Sequence, residues 1–177
     1  MTNLIAFVWG LAEATLFFII PDMGLSVIAL KGVDTGLVAS VYALAGALVG
    51  GTIMYYWGQA NIKTVARVLE KIPAIRHADL EKVRSDLEKS GIKAIFWGPI
   101  YGIPYKIYAA HAHLITSVFM FLLISIPARM VRFVLAALIT PYMIEKFLSH
   151  ASYILQVQTV ILIWIIIYAV YFFLKRK

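Results

Sequence analysis

The chain of 177 residues is 62% hydrophobic, carries a formal net charge of +7 and contains no cysteine. Soluble domains are about half apolar, so a mean hydropathy of +0.87 excludes a water-soluble core as the main home of these side chains. The lack of cysteine excludes a disulfide framework, thiolate chemistry and thiol-bound metal.

The positive charge does not read as a nucleic-acid footprint. Half of the Lys and Arg lie between Lys63 and Lys93, interleaved with Glu70, Asp79, Glu81, Asp86 and Glu88. A further cluster, Lys175-Arg176-Lys177, follows the last apolar stretch. Basic residues flanking membrane spans are the usual mark of the cytoplasmic side. The expectation is therefore a multi-pass protein of a bacterial or archaeal cytoplasmic membrane, with its C-terminus inside.

The first apolar stretch, Leu4 to Leu30, has no basic leader region and carries Glu13 within it, so it reads as mature protein rather than a signal peptide. It is broken by Pro21-Asp22-Met23-Gly24, where proline removes a backbone donor and glycine loosens the chain. Each half is too short for the roughly 20 residues that a crossing needs. The predicted element over 4–34 is a re-entrant hairpin, a form allowed at membrane depth only when buried in protein or lining a wet cavity.

A transmembrane helix is predicted over 37–57. Its Gly46-Ala-Leu-Val-Gly50 ridge, extended by Gly51, lets another helix approach closely. Packing within the chain is the preferred reading, and a homo-oligomer is the other. From 59 to 90 the pattern changes: Val65, Val68, Leu69 and Ile72, then Leu80, Val83 and Leu87 after Pro73, predict two short amphipathic helices at the cytoplasmic surface. Their charges read as a solvated face.

A second broken stretch spans 92–114. Gly98, Pro99, Gly102 and Pro104 fall within seven residues and cannot continue a straight helix, which predicts a second re-entrant hairpin. Two interrupted hydrophobic segments, one in each half of a chain, point to a transporter site near the bilayer midplane. A transmembrane helix over 115–142 follows, kinked at Pro127 and ended by Pro141, and a final one covers 154–174.

Arg129 and Arg132 are the most informative residues. They lie three apart, on one helix face, inside an apolar stretch. A charge there costs at least about 2.5 kcal/mol on insertion scales and faces a cavity or a partner. Glu13 and Asp22 belong to the first hairpin and Lys106 follows the second breaker, so facing hairpins would bring all five into one polar interior. A purely structural role would pair carboxylates with arginines. A functional role would let the planar guanidinium forks grip an anionic head group, with a carboxylate carrying protons.

His111 and His113, two apart, point to different faces, and no third ligand is evident, so no metal and no cofactor is expected. Tyr101, Tyr105 and Tyr108 read as packing or a cavity wall. No nucleophilic triad, phosphate-cradling loop or metalloprotease signature is present, so no enzyme is predicted.

The order of these features resembles the DedA superfamily, also called the SNARE-associated Golgi or VTT-domain family, in its small YqaA-like branch. Glu13 with Pro21-Asp22, the glycine-rich helix ending near Tyr56-Trp57-Gly58, Trp97-Gly-Pro99-Ile-Tyr-Gly102 and Pro127-Ala-Arg129-Met-Val-Arg132-Phe133 carry the likeness, from Phe7 to Tyr142. Where many members have Gly-Arg-Phe, this chain has Gly98-Pro99, and its nearest base is Lys106.

The resemblance implies an all-α polytopic bundle with two facing re-entrant hairpins. It also implies movement of membrane lipids, such as polyprenyl phosphates or phospholipids, between leaflets, with proton coupling in some members. The expected roles are head-group binding for Arg129, Arg132 and Lys106, and proton or counter-charge groups at Glu13 and Asp22. A non-transporting scaffold and a small-anion or ion carrier are the alternatives.

Overall fold

The computed structural model describes residues 1–73 and 75–176, with the side chains of 175 and 176 not described. The basic C-terminal cluster therefore lies outside the described side chains. Every regular element among the described residues is helical: α1 (Thr2–Thr15), α2 (Pro21–Ala29), α3 (Val33–Leu69), α4 (His77–Ser90), α5 (Ile92–Trp97), α6 (Tyr105–His111), α7 (Val118–Leu148) and α8 (Tyr153–Arg176). A single 3₁₀ turn, Ala112–Leu114, extends α6.

Three helices, α3, α7 and α8, are long and apolar enough to cross a membrane. They define an integral membrane protein of all-helical class. Two short broken pairs, α1–α2 and α5–α6, each precede one long helix, α3 and α7 respectively.

The first break does not fall where proline and glycine suggest. α1 stops at Thr15, whose hydroxyl donates to the Leu11 and Ala12 carbonyls at 3.0 Å each. A threonine that bonds back onto its own turn competes with helix continuation. Pro21 instead occupies the first turn of α2, where its missing N–H is no loss. Gly24 is helical, and its bare backbone seats the Trp9 ring. The second break falls as expected, α5 ending at Trp97 and α6 starting at Tyr105. Gly102 takes φ +82° there, a conformation that favours glycine.

Two boundaries differ from the sequence expectation. The first of the two predicted surface helices is a continuation of α3, which runs to Leu69 through a single non-helical residue, Asn61. Asn61 Oδ1 accepts from the Thr64 N–H at 3.0 Å and so restarts the helix like an N-cap. Pro141 does not end α7, which runs on to Leu148 with Ile144 buried. One lost backbone donor is outweighed there by packing beyond it.

α4 also differs from a helix resting on a membrane surface. Its apolar stripe, Leu80, Val83 and Leu87, is buried in one core with Tyr55, Leu69, Ile95 and Tyr108. The charges Glu81, Lys82, Arg84, Glu88 and Lys89 face outward. Tyr108 donates to Asp86 Oδ2 at 3.2 Å, tying α6 to α4.

The glycine ridge of α3 packs against α1 in the same chain. A Cβ at Gly46 would stand 1.9 Å from the Phe7 carbonyl oxygen, and one at Gly10 would stand 2.1 Å from that of Ala43. Two backbones in such contact exclude any side chain larger than hydrogen.

Gly46→Ala is therefore expected to lower stability by the upper part of about 1–3 kcal/mol. Val49→Ala, on the exposed face of α3, should be near neutral; thermal unfolding in detergent compares the two.

The segment between α3 and α4 is clipped by His77 Nδ1 and Glu70 Oε1 at 2.7 Å. The hydrogen bond and the carboxylate charge raise the His77 pKa above its ordinary 6.5. A raised folded-state pKa means the clip is fully formed below about 6.5 and is lost as pH rises through the higher folded value. The His77 ring NMR titration should therefore have its midpoint above 6.5 in wild type and fall back toward it in Glu70→Gln.

Candidate functional site

All five charged residues singled out from the sequence meet in the interior. Arg129 and Arg132 project from α7 toward α1 and α2. Arg129 Nη2 donates to Glu13 Oε2, and both side chains are almost fully buried. Arg132 Nη2 lies 3.0 Å from Asp22 Oδ2. That second contact is an ion pair without hydrogen-bond alignment, since neither atom has a hydrogen-bonding partner. Asp22 is buried while Arg132 is one-third exposed, so the second pair is looser than the first.

Lys106, at the start of α6, is buried and donates from Nζ to the Phe17 carbonyl at 2.5 Å. It therefore grips the broken backbone of the first pair from the second. The cluster holds three cations against two carboxylates. Unpaired atoms remain on both sides but mostly on the cationic one: Arg129 Nε and Nη1, Arg132 Nε and Nη2, and Asp22 Oδ2 are buried without a hydrogen-bonding partner among the described residues. Buried guanidinium donors left unpaired are costly in a low-dielectric interior.

Arg129 is held flat as well as charged. Its Cζ lies 4.3 Å from the centroid of the Tyr105 ring and 5.1 Å from that of Phe133. Tyr105 also stacks on Phe121, ring centroids 5.8 Å apart. Its hydroxyl donates to Ser125 Oγ at 3.0 Å, which donates in turn to the Phe121 carbonyl at 2.8 Å. Sequence reasoning placed Tyr105 with Tyr101 and Tyr108, but Tyr101 is 75% exposed and the three do not form one surface.

A cavity of about 240 Å³ opens beside the cluster. Glu13, Lys106 and Arg132 form its polar end. Pro99, Gly102 and Pro104 of the second break line it, with Pro73 from the α3–α4 segment. Its remaining wall is isoleucine-rich and aromatic: Phe18 and Tyr105, with Trp164, Ile167, Tyr168, Tyr171 and Phe172 from α8. The other two breakers lie outside the lining, Gly98 against the Tyr108 ring and Pro21 buried at the start of α2.

The α8 residues went unnoticed in the sequence, where 154–174 reads as a plain span. Their signal is the hydroxyl- and indole-bearing side chains inside the span as well as at its ends.

Two further carboxylates outside the α4 region, Asp34 and Glu145, are exposed and take no part in the cluster. The His111 and His113 rings each bond a carbonyl of their own helical turn, at 2.8 and 2.9 Å. No grouping of His or carboxylate side chains among the described residues could hold a metal ion. No protein-family model, curated protein or solved structure matches the chain.

A buried charge that loses its partner is far worse placed than one never buried. Glu13→Gln is expected to destabilise the protein by roughly 3–5 kcal/mol. The double change Glu13→Leu with Arg129→Met should recover most of that loss, and Asp22→Asn should cost much less than Glu13→Gln. A double-mutant cycle of unfolding in detergent measures all of these.

Proposed function

We propose that the protein moves an anionic lipid, a polyprenyl phosphate or a phospholipid, between the leaflets of the cytoplasmic membrane. The observation that carries this reading is the cavity itself. One end has Lys106 and Arg132, the latter with unpaired guanidinium donors, against a single carboxylate, Glu13, and the rest is aromatic and apolar. An anionic head group suits the first and an acyl or prenyl chain suits the second. A small soluble anion would have no use for the aromatic wall.

In this reading Arg132 and Lys106 take the head group first. The Asp22–Arg132 pair, lacking hydrogen-bond alignment, is the one that opens to admit a phosphate oxygen. A guanidinium then exchanges one carboxylate for a phosphate with both of its forks available. Glu13 holds Arg129 in place, and a carboxylate displaced from its arginine becomes the group able to take up a proton. Coupling to a proton gradient would enter at that step.

The membrane arrangement follows from the charges. With the α4 face and the C-terminus inside, α3 runs inward, α7 outward and α8 inward. The broken pairs preceding α3 and α7 then enter from opposite sides as re-entrant hairpins, an inverted arrangement that suits alternating access to a midplane site. The order of motifs resembling the DedA superfamily supports the same reading. A scaffold held by ion pairs accounts for Glu13–Arg129 but leaves the excess cation and the cavity without a purpose.

The test is leaflet-to-leaflet movement of labelled polyprenyl phosphate and phospholipid in proteoliposomes. Removing one charged hydrogen bond worth about 1.5–3 kcal/mol predicts that Arg132→Gln slows movement about 10- to 100-fold while the protein stays folded. Movement of neither lipid by folded wild-type protein would sink this reading.

A further inference from the structure

α8 stands apart from the other long helices in how it is attached. Only 6% of its most apolar window is buried, against 44% for α3 and 28% for α7. In a bilayer, apolar side chains gain nothing by leaving lipid for protein, so helix association rests on close packing and hydrogen bonds. The attachment of α8 is of the second kind. Trp164 Nε1 donates to Ser26 Oγ at 3.3 Å, on α2. Tyr168 Oη accepts from the Ile20 N–H, in the first break, at 2.8 Å. Tyr171 donates to the Gly102 carbonyl, in the second break, at 3.4 Å. A short non-helical connection, Ser149 to Ser152, joins α8 to α7.

We propose that α8 is a lateral door of the cavity, latched by Tyr168 and Tyr171 to the two breaks, through which an amphiphile's chain passes from the bilayer. This rests on the reading that the cavity takes an anionic head group. The five residues of α8 that wall the cavity, Ile167 among them, share one face with the latches, so displacing the helix opens the cavity sideways to lipid.

The latches also tie the door to occupancy. Backbone groups at membrane depth need partners, and the two hydroxyls supply them at one point of each break. An anionic oxygen is a stronger acceptor than a phenol. A phosphate held by Arg132 competes for the Ile20 N–H, because Arg132, Ile20 and Tyr168 line the same cavity. Head-group binding therefore loosens the latch, and the freed Gly102 carbonyl is satisfied by the head group's own hydroxyl.

The chain has no native cysteine, so nitroxides can be placed cleanly at Val170→Cys on α8 and Ile53→Cys on α3, both exposed. Dipolar distance measurements would be made in phosphatidylcholine nanodiscs, with and without a long-chain monoalkyl phosphate. The double variant Tyr168→Phe/Tyr171→Phe keeps both rings and loses only the hydroxyls. It should show a second population longer by about one helical turn, ~5 Å, and the alkyl phosphate should raise that population in the wild type. One narrow distance, the same in wild type and double variant with or without the phosphate, overturns the door. If the distances change as expected but no lipid moves in proteoliposomes, the door stands and the transport reading fails.

Discussion

The buried Arg129–Glu13 bond is the constraint around which the other contacts are arranged. A guanidinium in an apolar bundle has to be neutralised within the protein, and its partner comes from a helix more than one hundred residues earlier in the chain. That requirement holds α1 within side-chain reach of α7, and α1 reaches that place by lying directly on α3. The backbone contacts at Gly10, Gly46 and Gly50 make this possible. Tyr105 then closes over the guanidinium from α6. One ion pair therefore ties together the first broken pair, the glycine ridge and the start of α6.

The second organising demand is on the backbone. Five residues of the first break cannot use helical hydrogen bonds among themselves, and half of their backbone polar groups find partners elsewhere. The Phe17 carbonyl is taken by Lys106, that of Ile19 by Trp9, and the Ile20 N–H by Tyr168. Leu16 and Phe17 both donate back to the Ala12 carbonyl. Partners from α1, α6 and α8 thus converge on one short segment. The second break is more self-sufficient, closed by turns such as Ile103 N–H to the Gly98 carbonyl at 3.3 Å. This asymmetry makes the first break the place where movement of one element is felt by the others.

The charged interior was legible in the sequence because its signal is local. An arginine inside an apolar run is anomalous wherever it occurs, and two on one face name their own surface. The second break was equally plain, since four breakers in seven residues leave no other reading. The first break was misplaced because Thr15 ends α1 by a hydrogen bond to its own turn, which composition does not reveal, while Pro21 sits where a proline helps a helix start. The continuation of α3 past Asn61 was hidden for a similar reason: a change from apolar to charged residues marks a change of solvent, not the end of a helix. The α8 wall was missed because its role depends on partners at Ile20, Ser26 and Gly102, which no spacing rule connects.

What remains is why so much charge should be placed in this interior. Stability is a weak reason, since well-packed apolar residues often serve as well as or better than a buried ion pair. Specific placement of the helices could justify the Glu13–Arg129 bond. It does not extend to Arg132, whose partner is close without being aligned, nor to an additional ammonium at Lys106. Structural glue settles toward neutrality with its donors satisfied. This cluster stops short of both, and it does so where it meets a cavity with aromatic walls. That imbalance is what the proposed binding of an anion with an apolar tail would draw on.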